Sequence, residues 1–274
     1  PINGAVLPDA WATDAEPHPG ELEPFFRFVS KNVQEHTNES APIGLRDYFD
    51  FLRFMVTHGL SATTVVSIVK QLLSERSGRY GWKRVGILDL LQWDVFKHYY
   101  RTLKPGFATF FLNSVAHLQH THWRNLEPEK FDVKPSDEEQ EEFENAILFG
   151  YQSNDRLIGR FLDLAGDDVN LVFCTALSQK PCLGWEAEGA KRFYRPKRFE
   201  ALTEFAGIEA AHECAPVMSE EFWVEFECEA DAAEGARKLA GLRVDDREGF
   251  AVSQKGNRVY VGCSIFDEVS ENAR

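Results

Sequence analysis

Hydrophobic residues in the first hundred positions recur at the spacing of helices. Over residues 19–36 they fall on one helical face, at Leu22, Phe25, Phe26 and Val29. Similar patterns predict helices over 44–58, 62–75 and 82–102, with Ser61 as the N-cap of the middle one. Residues 1–103 are therefore predicted to form a mostly helical segment, interpreted as a cap or insertion.

Two short, continuously apolar runs follow, at residues 107–113 and 170–177. Runs of this kind are typical of buried strands in a parallel sheet. Between them, residues 137–164 have a helical pattern with Ser136 as cap. A strand, a helix and a second strand make a βαβ unit. The fold class predicted is therefore α/β, with residues 104–190 forming part of a parallel-sheet αβα sandwich core.

The last segment, residues 191–274, has a different pattern. Residues 221–228 alternate like a half-buried strand, residues 230–240 are helical, and two further runs flank the turn Lys255-Gly256-Asn257. This order predicts a small α+β subdomain with a C-terminal hairpin.

Charge and cysteine content limit the kinds of partner and the cellular compartment that we expect for this protein. The chain has 274 residues and a formal net charge of -14, which disfavours nucleic acid polymers and anionic membranes as partners. Its five cysteines are widely spaced, without a CxxC pair, so a reducing cytoplasm is expected. No apolar stretch spans a bilayer and no signal peptide opens the chain. Because it begins at Pro1 without a methionine, an internal fragment is expected.

The histidine-rich segment after the first predicted strand carries the candidate chemistry. His117 and His120 are three residues apart, just beyond Asn113 at the predicted strand end. On a helix they share one face and could hold one metal ion, or a metal and a phosphate. Imidazole nitrogen suits zinc, with manganese or iron as the other candidates. The alternative, a surface loop or packing under Trp123, stays open.

The stretch Phe110–Pro128, FFLNSVAHLQHTHWRNLEP, resembles the metal-site segment of the alkaline phosphatase superfamily, in its type I phosphodiesterase and nucleotide pyrophosphatase members. The family's Gln-His falls on Gln119 and His120, and its Trp-Arg on Trp123 and Arg124. Its next core strand, which normally ends in Ser-Asp-His-Gly, falls on residues 171–175. The resemblance covers roughly the first two thirds of the chain.

The chain departs from the family at metal-binding positions. The family's aspartate falls on Ala116 and its arginine on His117. The Ser-Asp-His-Gly position reads Thr175-Ala176-Leu177-Ser178, followed by Gln179. The nucleophile that the family uses has no counterpart in these segments.

The resemblance implies a metal-dependent hydrolase of small phosphodiesters or nucleotide diphosphates. His120 and His117 would bind the divalent metal. The residues expected to contact substrate or to support the ligands are Asn113, Gln119, Arg124, Ser178 and Gln179. The alternative is a non-catalytic relative that binds a ligand or partner through the same cleft, and Ala176-Leu177 favours it. A stand-alone interaction protein is the third possibility.

Overall fold

A computed structural model describes residues 3–10, 12, 15–35, 43–175, 178–186, 191–217 and 220–270. The chain divides into two compact units. One combines Pro1–Leu52 with Ala187–Arg274, and the other is Arg53–Glu186.

In the first unit, aromatic packing and ion pairs join α1 (Glu23–Glu35) to the part of α2 (Leu45–Thr57) that ends at Leu52. The rings of Phe28 and Phe51 stack with centroids 4.0 Å apart. Arg27 Nε donates to the Asp47 carboxylate at 3.1 Å. The face of α2 that meets α1 therefore combines an apolar contact with a charged one.

The same unit contains a four-stranded sheet in the order β1-β2-β6-β5, and every neighbouring pair is antiparallel. Its strands are β1 (His212–Pro216), β2 (Phe222–Phe226), β5 (Phe250–Lys255) and β6 (Arg258–Cys263). A short hairpin, β3 (Arg243–Val244) and β4 (Arg247–Glu248), lies between α9 (Glu229–Ala240) and β5 in the chain.

Alternation along the strands creates the core beneath this sheet. Alternate side chains of β2 point to one face, together with Val259 and Val261 of β6. The helices α9 and α8 (Phe199–Phe205) supply the opposing apolar side chains, including Leu239 and Phe199. Gly235 allows α9 to approach β2 closely, because a Cβ there would lie 2.4 Å from Phe226 Cζ.

The second unit is helical. Its helices are α3 (Ala62–Ser74), α4 (Arg84–Leu103), α5 (Ser114–Leu126), α6 (Asp137–Phe143) and α7 (Ala146–Ala165). Leu118 of α5 packs with Ala146 and Ile147 of α7 in a buried cluster. This packing fixes α5, which bears the histidine segment.

The predicted parallel-sheet αβα sandwich is wrong. Residues 107–113 and 170–175 have irregular backbone, and the four-stranded sheet of this molecule is antiparallel. In the first run, Phe110 packs between Phe96 of α4 and Phe161 of α7, while Phe107 and Phe111 are exposed. Phe110 thus packs against two helices, and neither run pairs with a strand of the described residues. A short apolar run does not by itself distinguish these outcomes.

Other boundaries also differ from the sequence expectations. The helix predicted over 137–164 is two helices, α6 and α7, which are separated at Glu144 and Asn145. Near the start of the chain, Val6 and His18 form an isolated antiparallel bridge. The three-part division at residues 103 and 190 stays a prediction. Among the described helices, none has the length and apolarity needed to cross a bilayer.

Candidate functional site

Helix α5 places two predicted site residues on one exposed face. His117 and His120 are one turn apart and both are exposed. Asn113 precedes the helix as its N-cap, and its carbonyl accepts a hydrogen bond from the His117 backbone N–H. The Asn113 side chain makes no capping hydrogen bond to α5. The positive end of the helix dipole therefore lies one turn from His117.

Gln179 contacts this face from a distant part of the chain. Its Nε2 donates to the Ala116 carbonyl at 3.2 Å and lies 3.3 Å from His120 Nε2. The two segments that carry the family resemblance are therefore in contact. We call His117, His120 and Gln179 the imidazole face.

The Gln179 contact favours one tautomer of the His120 ring. The amide nitrogen carries two protons, so it can donate one to Ala116 and the other to His120 Nε2. In that arrangement Nε2 is an acceptor, and the remaining proton of the neutral ring is on Nδ1. His120 then has an N–H that it can donate to a ligand oxygen.

Two other predicted residues point away from the imidazole face. Gln119 donates through Nε2 to the Tyr151 hydroxyl of α7 at 3.0 Å, so it joins two helices. Arg124 has its guanidinium carbon 5.8 Å from the centre of the Phe131 ring. Its Nε is buried and makes no hydrogen bond with the described residues. Both side chains support the packing around α5.

His122, the third histidine of the segment, is buried. Its ring stacks on Phe143 with centroids 4.5 Å apart and lies near Trp82. Burial is the main reason that its pKa is lowered, with a smaller contribution from His117. The backbone departs from helical geometry at this residue. His122 therefore belongs to the core side of α5.

A buried polar cluster anchors the first turn of α5. Ser114 Oγ donates to Asn154 Oδ1 of α7 at 3.2 Å, and Ser114 also acts on the Asp89 carboxyl of α4, whose pKa it lowers. Asp89 is 4% exposed, and its Oδ2 has no hydrogen-bond partner among the described residues. Desolvation raises its pKa to about 6, against the opposing effect of Ser114. The cluster joins three helices beneath the candidate site.

Sequence reasoning did not identify this cluster. The available signal was one acidic residue, Asp89, inside the apolar run Ile87–Leu91, because a charge on a buried helix face requires an explanation. Ser178, predicted to line the site, is exposed beside Gln179. The substituted positions Ala176 and Leu177 lie outside the described residues.

The implied metal has an incomplete set of ligands. Zinc in proteins takes three or four ligands from the chain, and the imidazole face offers two imidazoles and one amide. Among the described residues there is no group of three histidine, cysteine or acidic side chains able to hold a metal. Gln179 also lies against the His120 nitrogen that a metal would use. These residues do not fit a catalytic zinc centre on their own.

Together, the fold and the site define a mixed α/β protein with an exposed helix face that carries two imidazoles. No family model, curated protein or solved structure matches the chain.

Proposed function

We propose that the chain binds a small phosphoester at the imidazole face. The observation that carries this proposal is the contact between Gln179 and His120 beside an exposed His117. This contact favours the tautomer of the neutral His120 ring in which Nδ1 carries the proton and can donate it to a ligand. Hydrogen bonds to phosphoryl oxygens are stronger than those between neutral groups.

The helix that carries these residues also favours an anion. The first backbone N–H groups of a helix lack partners within the helix, and its dipole is positive there. Asn113 and His117 lie at that end of α5. A phosphoryl group near His117 and His120 would therefore interact favourably with the helix terminus as well as with the rings. We also propose that the protein is cytoplasmic. The five cysteines are all free thiols, which supports this proposal.

The second candidate is metal-dependent hydrolysis of a phosphodiester. It is supported by the resemblance to the alkaline phosphatase superfamily and by the contact of Gln179 with Ala116 and His120, where the family's metal segments would meet. Against it, Ala116 has a methyl group where the family has an aspartate. Binding without turnover is therefore the proposal that we favour.

Calorimetric titration of AMP into the metal-free protein, with EDTA present, tests binding. We expect His120→Ala to weaken binding about tenfold, or about 1.4 kcal/mol, through loss of the Nδ1–H donor. Gln179→Ala should weaken binding less, because it removes the orienting contact and leaves the ring in place. His18→Ala is the matched control, since His18 is an exposed histidine of the other unit.

Two results of this titration would contradict the proposal: no measurable AMP binding, or equal affinity in the wild type and His120→Ala. The second candidate is tested by adding Zn²⁺ and bis(4-nitrophenyl) phosphate. Zinc-dependent release of 4-nitrophenol that is lost in His120→Ala would establish hydrolysis.

A further inference from the structure

Helix α2 has two apolar faces, and only one of them is buried. On one side of the helix, Phe51, Phe54 and Met55 are buried. On the opposite side, four large apolar side chains are exposed: Leu45 at 90%, Phe49 at 66%, Leu52 at 55% and Val56 at 71%. We call these four residues the α2 stripe.

The spacing of the α2 stripe is that of a helix-pairing seam. Its residues are separated by four, three and four positions, which is the a/d repeat of a heptad. Leu45 and Leu52 take d positions, and Phe49 and Val56 take a positions. Such a row is continuous along one side of a helix and fits the apolar row of a second helix.

Positive charge borders this stripe on one side. Arg46 and Arg53 both occupy the e position of the same repeat, and both are exposed. Arg46 Nε lies 3.8 Å from the Asp50 carboxylate, and the Arg46 side chain is exposed, so this long ion pair contributes little energy. In paired helices, residues at e and g select partners by charge. Two arginines at e therefore favour acidic residues on the facing helix.

We propose that the α2 stripe binds an amphipathic helix of a partner protein whose apolar row is flanked by acidic residues. A second copy of this chain fits less well. Antiparallel pairing would place arginine against arginine, and parallel pairing would place the arginines against Tyr48 and Met55, which carry no negative charge. An anionic bilayer fits less well too, because the chain has a net charge of -14.

Synthetic peptides provide the test. One helical peptide, about three heptads long, carries leucine at a and d and glutamate at e and g; its matched partner carries lysine at e and g. Fluorescence anisotropy measures their binding to the full chain. We expect the glutamate peptide to bind at least about tenfold more tightly than the lysine peptide.

Three variants distinguish peptide binding at the α2 stripe from nonspecific binding to exposed apolar side chains. Phe49→Ala with Leu52→Ala should abolish binding, and both side chains are exposed, so the fold should tolerate the change. Arg46→Glu with Arg53→Glu should reverse the preference toward the lysine peptide. The control is Val69→Ala with Leu72→Ala on α3. These two side chains are also apolar and exposed, so their removal should leave peptide binding unchanged.

Equal binding of the two peptides, absence of binding, or an unchanged preference in the charge-reversed variant would overturn the proposal. Dimerisation of the wild type that disappears in Phe49→Ala with Leu52→Ala would assign the α2 stripe to a second copy. Binding to vesicles of phosphatidylcholine and phosphatidylglycerol that disappears in the same variant would assign it to lipid. AMP binding is expected to be the same whichever of these outcomes is found.

Discussion

Asp89 is a buried residue beneath the candidate site, and its ionisation affects the stability of the protein. Its carboxyl group is withdrawn from water between α4 and the first turn of α5, and one oxygen has no partner among the described residues. Ser114 lowers the pKa of this carboxyl, but burial raises it by more. An ionised Asp89 carboxylate is therefore buried with too little compensation, which is costly.

We predict that Asp89→Asn stabilises the protein at neutral pH. The pKa of Asp89 rises from an ordinary 3.8 to about 6 on folding, so the unfolded chain loses this proton first. The wild-type free energy of unfolding should fall as pH rises from about 4 to about 6, by about 3 kcal/mol, and stay level above that. Urea unfolding at pH 4, 5, 6 and 8 measures this, and Asp89→Asn should be less pH-dependent and more stable at pH 8.

Asp94, the other buried aspartate of α4, is the control. Its Oδ2 accepts from the Ser61 backbone N–H at 2.9 Å, and Lys97 Nζ lies 3.4 Å from its Oδ1. Asp94→Asn should destabilise the protein by about 1–3 kcal/mol, because it leaves Lys97 facing an amide. Stabilisation by Asp94→Asn, or no gain from Asp89→Asn at pH 8, would contradict this account.

The spacing of individual residues in the sequence predicts part of the candidate site. The spacing of His117 and His120 predicts a shared helix face, and both residues lie exposed on α5. The same helical geometry separates Gln119 from that face and directs it to Tyr151. The contact of Gln179 with His120 joins residues 59 positions apart, so no local pattern contains it.

At the scale of elements, helices and hairpins followed local signals more closely than isolated apolar runs did. The β5–β6 hairpin forms where predicted, because Gly256 adopts a positive φ at the turn and Lys255 pairs with Arg258. The runs at 107–113 and 170–175 failed as strands because a strand requires a neighbour, and pairing is a long-range property. The α6–α7 break likewise interrupts an otherwise continuous helical pattern.

Two glycines inside helices should respond in opposite ways to alanine. Gly235→Ala places a Cβ 2.4 Å from the buried Phe226 ring, so we expect a loss of about 1–3 kcal/mol from overpacking. Gly159→Ala in α7 meets nothing within 4 Å and should gain about 0.5–1 kcal/mol from helix propensity. Urea unfolding of both variants measures the difference, and equal effects would contradict the close packing of α9 on β2.

At the scale of the whole molecule, a net charge of -14 makes the positively charged and imidazole-bearing surfaces exceptions. Arg46 and Arg53 beside the α2 stripe form one such surface, and the imidazole face forms another. An acidic molecule concentrates its attraction for anions where positive or donating groups are clustered. The predicted parallel-sheet αβα sandwich failed at this scale because strand order and direction depend on contacts across the chain.

The most direct test of phosphoester binding observes the imidazoles themselves. Titrating AMP into ¹⁵N-labelled, metal-free protein, with long-range ¹H–¹⁵N NMR of the histidine rings, reports each ring separately. We predict saturable shifts of the His117 and His120 ring nitrogens with one shared dissociation constant. The ring of His122, buried against Phe143, should stay unchanged. Unchanged His117 and His120 signals at saturating AMP, or shifts confined to other histidines, would contradict the assignment of this face as the binding site.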